Sequence, residues 1–280
     1  MNQTPTKLEI ARAYAGGAMY TDAALNQVDL NHARELWRHH RVRNGFAATA
    51  PRLMPEPEQN AKLAKSSTYT LGLSLAPHRL AGMGNVCTHS TAECRRVCLE
   101  SSGQGWRNTV QAGRMVRTTF LAMYPLECRA MLRDELRRAL QRHGRKAIAW
   151  RPNVLSDLPW HAEPWVQSLP KRLRIYGYTK RPVSAEDAGR VDLTYSISER
   201  QPTFADALEI LENGTRIAVV TAAELPKTIA GYPVIDGERT DERWREPVGI
   251  VRLVPKGKAL QLAPSPNGFV KPASWFELAA

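Results

Sequence analysis

The chain has 280 residues, 43% hydrophobic and 24% charged, enough to bury a sizeable core in one large domain with or without an appendage. No apolar run approaches the length of a membrane span, and Met1–Ile10 lacks the charged head and apolar stretch of a secretory signal. A cytoplasmic protein without a membrane partner is expected.

Residues 1–50 read as an N-terminal helical appendage. Thr21-Asp22 caps one helix and Asp29 or Asn31 another, with His32–Arg43 helical and heavily basic. Three prolines in Pro51–Pro57 break any regular element, so appendage and linker are expected over 1–58 and an α/β domain over 59–280. Tyr69–Leu75 is the first strand. A Gly-rich, cysteine-bearing loop follows, with a short helix from Ser90 or Thr91 through Cys98. Trp106–Met123 and Pro125–Arg142 read as helices, the second with Leu126, Ala130, Leu132, Leu136 and Leu140 at helical spacing. Ala147–Arg151, Leu173–Tyr178, Asp192–Ile197 and Arg216–Thr221 are further strands, with helical stretches near 161–168, 184–189 and 202–212 between them. Val234–Ile235 is a sixth strand and Gly249–Val254 a closing or edge strand. The alternation predicts parallel βαβ units in an α/β fold, as an open sheet or part of a barrel; six or seven strands are few for a closed one.

Polar residues stand just past the carboxyl end of five successive strands. They are Asn153, Ser156 and Asp157; Thr179 and Lys180; Ser198 and Glu199; Thr221 and Glu224; and Asp236. Turn chemistry alone places Asn, Ser and Asp there, but ligands of α/β proteins also bind at that end. The formal charge of +12, from 39 Lys+Arg against 27 Asp+Glu, adds attraction to a nucleotide or nucleic acid, with a solvated basic surface as the plain alternative.

Cys87, Cys94 and Cys98 fall within twelve residues as C-x6-C-x3-C. Cys94 and Cys98 share a helical face, and Cys87 returns from the Gly-Met-Gly-Asn loop. Three thiolates suit three irons of a [4Fe–4S] cluster, or three corners of a zinc tetrahedron with His89 or His78 as the fourth ligand. Unligated, partly buried thiols are the third reading. Arg79, Arg95 and Arg96 would lower the thiol pKa values. Cys128 lies in a helical pattern and reads as core.

A three-cysteine loop directly after the first strand of a βα half-barrel resembles the radical-SAM superfamily. Separately, Asn60–Gly105, with Ser156–Trp160 (SDLPW), Gly177–Arg181 (GYTKR), Ser196–Arg200 (SISER) and Val234–Arg243 (VIDGERTDER), resembles the gene 88 product family of phage and other mobile elements. That likeness covers most of residues 60–260. Together the two imply a parallel (βα)6-type partial barrel, carried by a mobile element and working in the host cytoplasm.

The radical-SAM resemblance implies an open iron that chelates S-adenosylmethionine and, with an electron donor, generates a 5′-deoxyadenosyl radical. Asp157, Lys180 and Glu199 would be the catalytic residues, Lys180 against a carboxylate or phosphate, Asp157 or Glu199 as acid or base. Asn153, Ser156, Ser196 and Asp236 would contact the cofactor. Tyr178 and Trp160 stack on a ring or pack inward, and Asp241 pairs with Arg239 or Arg243. The chain departs from the superfamily's C-x3-C-x2-C spacing, carries Val97 where an aromatic precedes the third cysteine, and lacks the Gly-Gly-acidic motif at the second strand.

Three functions follow. The first is an iron–sulfur enzyme acting on a nucleotide, modified base or DNA. The second is a base-exchanging transglycosylase-like barrel using Asp157 and Asp236, with structural zinc. The third is a non-enzymatic DNA-binding protein working through the basic stretches Arg34–Arg43 and Arg129–Arg145.

Overall fold

The computed structural model describes residues 4–49, 52–57 and 66–277. The start of the expected linker at Pro51 and the 58/59 boundary lie outside them. In chain order the elements are α1 (Lys7–Ala15), α2 (Asp22–Asn26), α3 (Leu30–Arg43), β1 (Tyr69–Gly72), α4 (Ala92–Arg96), α5 (Asn108–Met123) and α6 (Pro125–Arg142). They continue with β2 (Ile148–Arg151), α7 (Pro164–Gln167), β3 (Leu173–Thr179), α8 (Ala185–Ala188), β4 (Val191–Ser196), α9 (Phe204–Glu212) and β5 (Arg216–Val220). Last come β6 (Thr228–Ile229), β7 (Tyr232–Asp236) and β8 (Ile250–Leu253).

The protein is α/β, with a mostly parallel, open sheet of eight strands ordered β1-β2-β3-β4-β5-β8-β7-β6. The sheet has two strands more than the six-fold repeat expected. β7 is the sixth strand expected at Val234–Ile235, and the excess is the edge strand β8 and the unexpected β6, which pairs antiparallel with β7 while β7 runs parallel to β8. A continuous apolar run such as residues 217–220, buried along nearly its whole length, is what a parallel strand covered on both faces requires.

The chain divides into two compact units, Met1–Thr88 with Asn108–Ile175, and His89–Arg107 with Tyr176–Ala280. In the first, β1 pairs with β2 in register Tyr69↔Ile148, and β2 with β3 at Ile148↔Leu173. Helix α1 starts in a reciprocal Thr6–Glu9 capping box, α2 at Thr21 and α3 at Asp29, whose carboxylate accepts from the Asn31 and His32 N–H groups. Helices α1 and α3 pack on α5 and α6. Trp37 of α3 meets Phe120 at 4.9 Å between ring centroids, and His40 Nε2 lies 2.8 Å from Thr119 Oγ1. Trp150, Trp160 and Trp165 form a buried aromatic cluster, so Trp160 packs inward. Cys128 is buried in α6 as core, and burial pushes its thiol pKa far up.

In the second unit β4, β5, β8 and β7 are parallel neighbours. Helix α9, started by a Thr203–Asp206 capping box, lays Phe204, Ala207 and Leu211 against Ile217, Val219, Ile250, Trp275 and Phe276. Asp241 sits in a closed network. The Tyr178 hydroxyl donates to its Oδ1 at 2.9 Å and accepts from Arg243 Nε at 2.9 Å, while Arg243 ion-pairs with Glu246 at 2.5 Å. Tyr178 and Asp241 are thus bound into the wall with a wholly buried arginine.

Candidate functional site

In the second unit, strands β3 and β4 end in Thr179 and Ser196, and the residues just beyond them converge. Lys180 is 8% exposed, and its Nζ donates to Ser196 Oγ at 2.7 Å. The Phe269 ring centroid is 5.3 Å from the same ammonium. Glu199 lies three residues past β4 and turns to the start of α4, where its Oε1 accepts from the Glu93 N–H at 2.9 Å. Thr91 caps that helix by accepting from the Cys94 N–H at 3.2 Å.

Burial pushes the Glu199 carboxyl pKa up, but the Thr91 hydroxyl, the N–H groups of Glu93 and Glu199, and the Lys180 charge outweigh it. The group is held below the usual carboxylate range and stays ionised at neutral pH. Its second oxygen, Oε2, is buried with no hydrogen-bond partner.

Around this pair stand Glu93 and Lys271, which have no signature in the sequence, and the strand-end residue Thr221. Glu93 Oε2 accepts from the Phe269 N–H at 2.5 Å. Lys271, with no exposed surface, donates to the carbonyls of Gln201 at 2.7 Å and Pro266 at 2.6 Å. Burial pushes its ammonium pKa down to about 8, against the upward pull of Glu199, Asp206 and Glu93. Thr221, after β5, donates to the Lys271 carbonyl at 2.7 Å, which fixes the segment.

Of the expected site residues, then, Lys180, Ser196 and Glu199 share one cluster. Asn153 and Ser156, in the first unit, are engaged with their own loop. Asn153 Oδ1 accepts from Ser156 Oγ at 2.8 Å, the Leu158 N–H at 3.1 Å and Trp160 Nε1 at 3.2 Å. Its Nδ2 donates to the Leu158 carbonyl at 2.9 Å. The Asp157 N–H donates to the Val86 carbonyl at 2.8 Å, tying that loop to the cysteine loop. Asp236 is exposed at the end of β7, where its carboxylate accepts from the Glu238 N–H in a local turn.

None of the four cysteines is in a disulfide. The Cys87 thiol accepts from the His78 N–H at 3.3 Å and donates to the Leu155 carbonyl at 3.4 Å. His78 is held at φ 41, a left-handed conformation few non-glycine residues adopt, and its carbonyl accepts from the Val86 N–H. Cys87 thus closes a tight loop as a weak donor and acceptor. Cys94 and Cys98 are half-buried, and Val97 between them packs with Ala259 and Val270. Among the described residues no group of three or more His, Cys, Asp or Glu side chains is placed to hold a metal ion.

Within the two basic stretches a few arginines are turned to internal use, while Arg43, Arg137, Arg138, Arg142 and Arg145 are exposed. Arg129 is buried against Glu163, Arg133 against Asp22 and Asn26, and Arg34 pairs with Asp134. Among the described residues no helix is long and apolar enough to cross a membrane.

Against known proteins, the model of the family described as Gene product 88 matches residues 52–270. No curated protein and no solved structure matches the chain.

Proposed function

This chain belongs to the Gene product 88 family, and on that premise we propose that the cluster at the ends of β3 and β4 is the reactive centre of a mobile-element enzyme. Its substrate is an anionic, nucleotide-like molecule, free or within DNA. The observation that carries the reading is Glu199 Oε2, a buried carboxylate oxygen left without a donor and within electrostatic reach of the buried Lys180 ammonium. A nucleobase N–H or sugar hydroxyl would satisfy that oxygen, and Lys180 would take the phosphate. Glu199, held ionised, orients the substrate as an acceptor and is unsuited to act as a general acid. Ser196 fixes the ammonium head.

Mass spectrometry of nucleosides from the DNA and nucleotide pool of cells expressing the chain tests this. An altered nucleoside is expected with the native protein and none with Lys180→Met or Glu199→Gln, both folded by circular dichroism. An unaltered profile with the native chain sinks the proposal.

One observation favours a second reading, the radical-SAM-like partial barrel with an iron–sulfur cluster and S-adenosylmethionine. Strands β1 to β5 each lie beside their sequence neighbour, a progression typical of barrels, whereas a doubly wound sheet reverses its order. No step is drawn through a cluster, because among the described residues no group of three or more His, Cys, Asp or Glu side chains is placed to hold a metal ion. Stoichiometric iron and sulfide after anaerobic purification would favour this chemistry; stoichiometric zinc would favour a stapled loop. The base-exchange and DNA-binding readings have weaker support, since Asp236 caps its own turn and Arg129 and Arg133 are buried.

A further inference from the structure

The first unit contains a cavity of about 280 Å³ between α3, β1 and α6, apart from the residues discussed above as the reactive centre. Its charged lining is dominated by arginine. Arg34 and Arg138 share a single carboxylate, Asp134, at 2.7 and 2.9 Å. Arg52 and Arg142 share another, Glu56, with Arg142 at 3.3 Å. Among the described residues, four guanidiniums against these two carboxylates leave two positive charges uncompensated. Glu135 also lines the cavity, accepting from the Leu53 and Met54 N–H groups at 2.7 and 3.0 Å. Burial pushes its carboxyl up to about 7, against the pull of those N–H groups and Arg52, so it removes at most one of the two charges.

The remaining wall is apolar, built from Trp37, Leu71 and Met131, and Arg41 sits over the Trp37 ring at 5.7 Å. Planar guanidinium forks match the oxygens of a phosphate, and each fork here is already oriented by the carboxylate it shares. The volume is near the lower end of ligand pockets, which run from about 300 Å³ upward.

We propose that this cavity binds a small phosphomonoester, its phosphate against the Arg52–Arg142 and Arg34–Arg138 pairs and its organic group against Trp37 and Leu71. Such a site is separate from the strand-end cluster and does not depend on it.

The test is calorimetric titration of the full chain with phenyl phosphate at low ionic strength. Saturable binding is expected. Arg138→Met and Arg142→Met, both at side chains at least half exposed, should each weaken it tenfold or more. Ala139→Phe, which fills the cavity from α6 without changing charge, should abolish it, and Lys180→Met should leave it intact. Far-ultraviolet circular dichroism establishes that each variant is folded. Absence of binding by the native chain overturns the proposal. So does affinity unmoved by both arginine substitutions, or equal loss in Lys180→Met.

Discussion

Arg129 and Glu163 meet at 2.6 Å in the first unit, with side chains 1% and 2% exposed. Both side chains make further polar contacts. Arg129 also donates to the Ala13 carbonyl at 2.9 Å and the Pro125 carbonyl at 3.1 Å, and its guanidinium lies 3.6 Å from the Tyr20 ring centroid. Trp165 Nε1 donates to Glu163 Oε2 at 2.5 Å. The pair therefore joins the N-terminal helices to α6 and to the loop after β2.

Breaking such a pair leaves a buried charge uncompensated. Arg129→Met or Glu163→Leu alone should lower unfolding free energy by about 3–5 kcal/mol, and the double variant by clearly less than the two losses combined. Urea denaturation of the four proteins gives the cycle. Single variants within ~0.5 kcal/mol of the native chain would contradict the account.

Lys271 makes stability depend on alkaline pH. Its folded pKa, about 8, is below the ordinary lysine value of 10.5. Below pH 8 both folded and unfolded chains are protonated there and the burial cost is fully present. Between pH 8 and 10.5 the unfolded chain binds more protons, so stability rises with pH, by about 3 kcal/mol over the window. Denaturation of native and Lys271→Met proteins across this range should show the native slope more positive by that amount. Parallel slopes would refute the assignment.

Gly84 needs both its left-handed backbone, at φ +74, and its missing side chain. A Cβ there would lie 2.7 Å from Ile10 Cγ2 and 3.2 Å from Tyr14. Gly84→Ala should cost about 1–3 kcal/mol in the native chain and less in an Ile10→Ala background, where the Cγ2 that the new Cβ would meet is gone. Thermal melts of the single and double variants read this; a neutral Gly84→Ala would rule it out.

The strands were legible because apolar runs such as residues 217–220 need no distant partner to be recognised. Pro125–Arg142 was legible to its ends because proline starts the helix and the apolar spacing runs through it. The β6–β7 hairpin was not, since two-residue β6 offers no alternation to read. Arg129 and Arg133 read as surface charge, because spacing along a helix does not say which guanidinium meets a buried acid. Cysteine spacing gives nearness in the chain and does not disclose individual thiol contacts, such as those of Cys87 with the His78 N–H and the Leu155 carbonyl. Lys180 and Glu199 were visible from their place after strands. Lys271 and Phe269 follow the last strand and reach the cluster only through tertiary structure.

Strand β6 has a consequence for self-association. A terminal strand of two residues, Thr228 and Ile229, gives an incoming chain almost no unpaired backbone to extend. Behind it, Pro233 lacks an amide hydrogen, so peeling the hairpin away exposes an interrupted template. At this border the sheet resists templated growth with other copies, without a charged residue in β6 to do so.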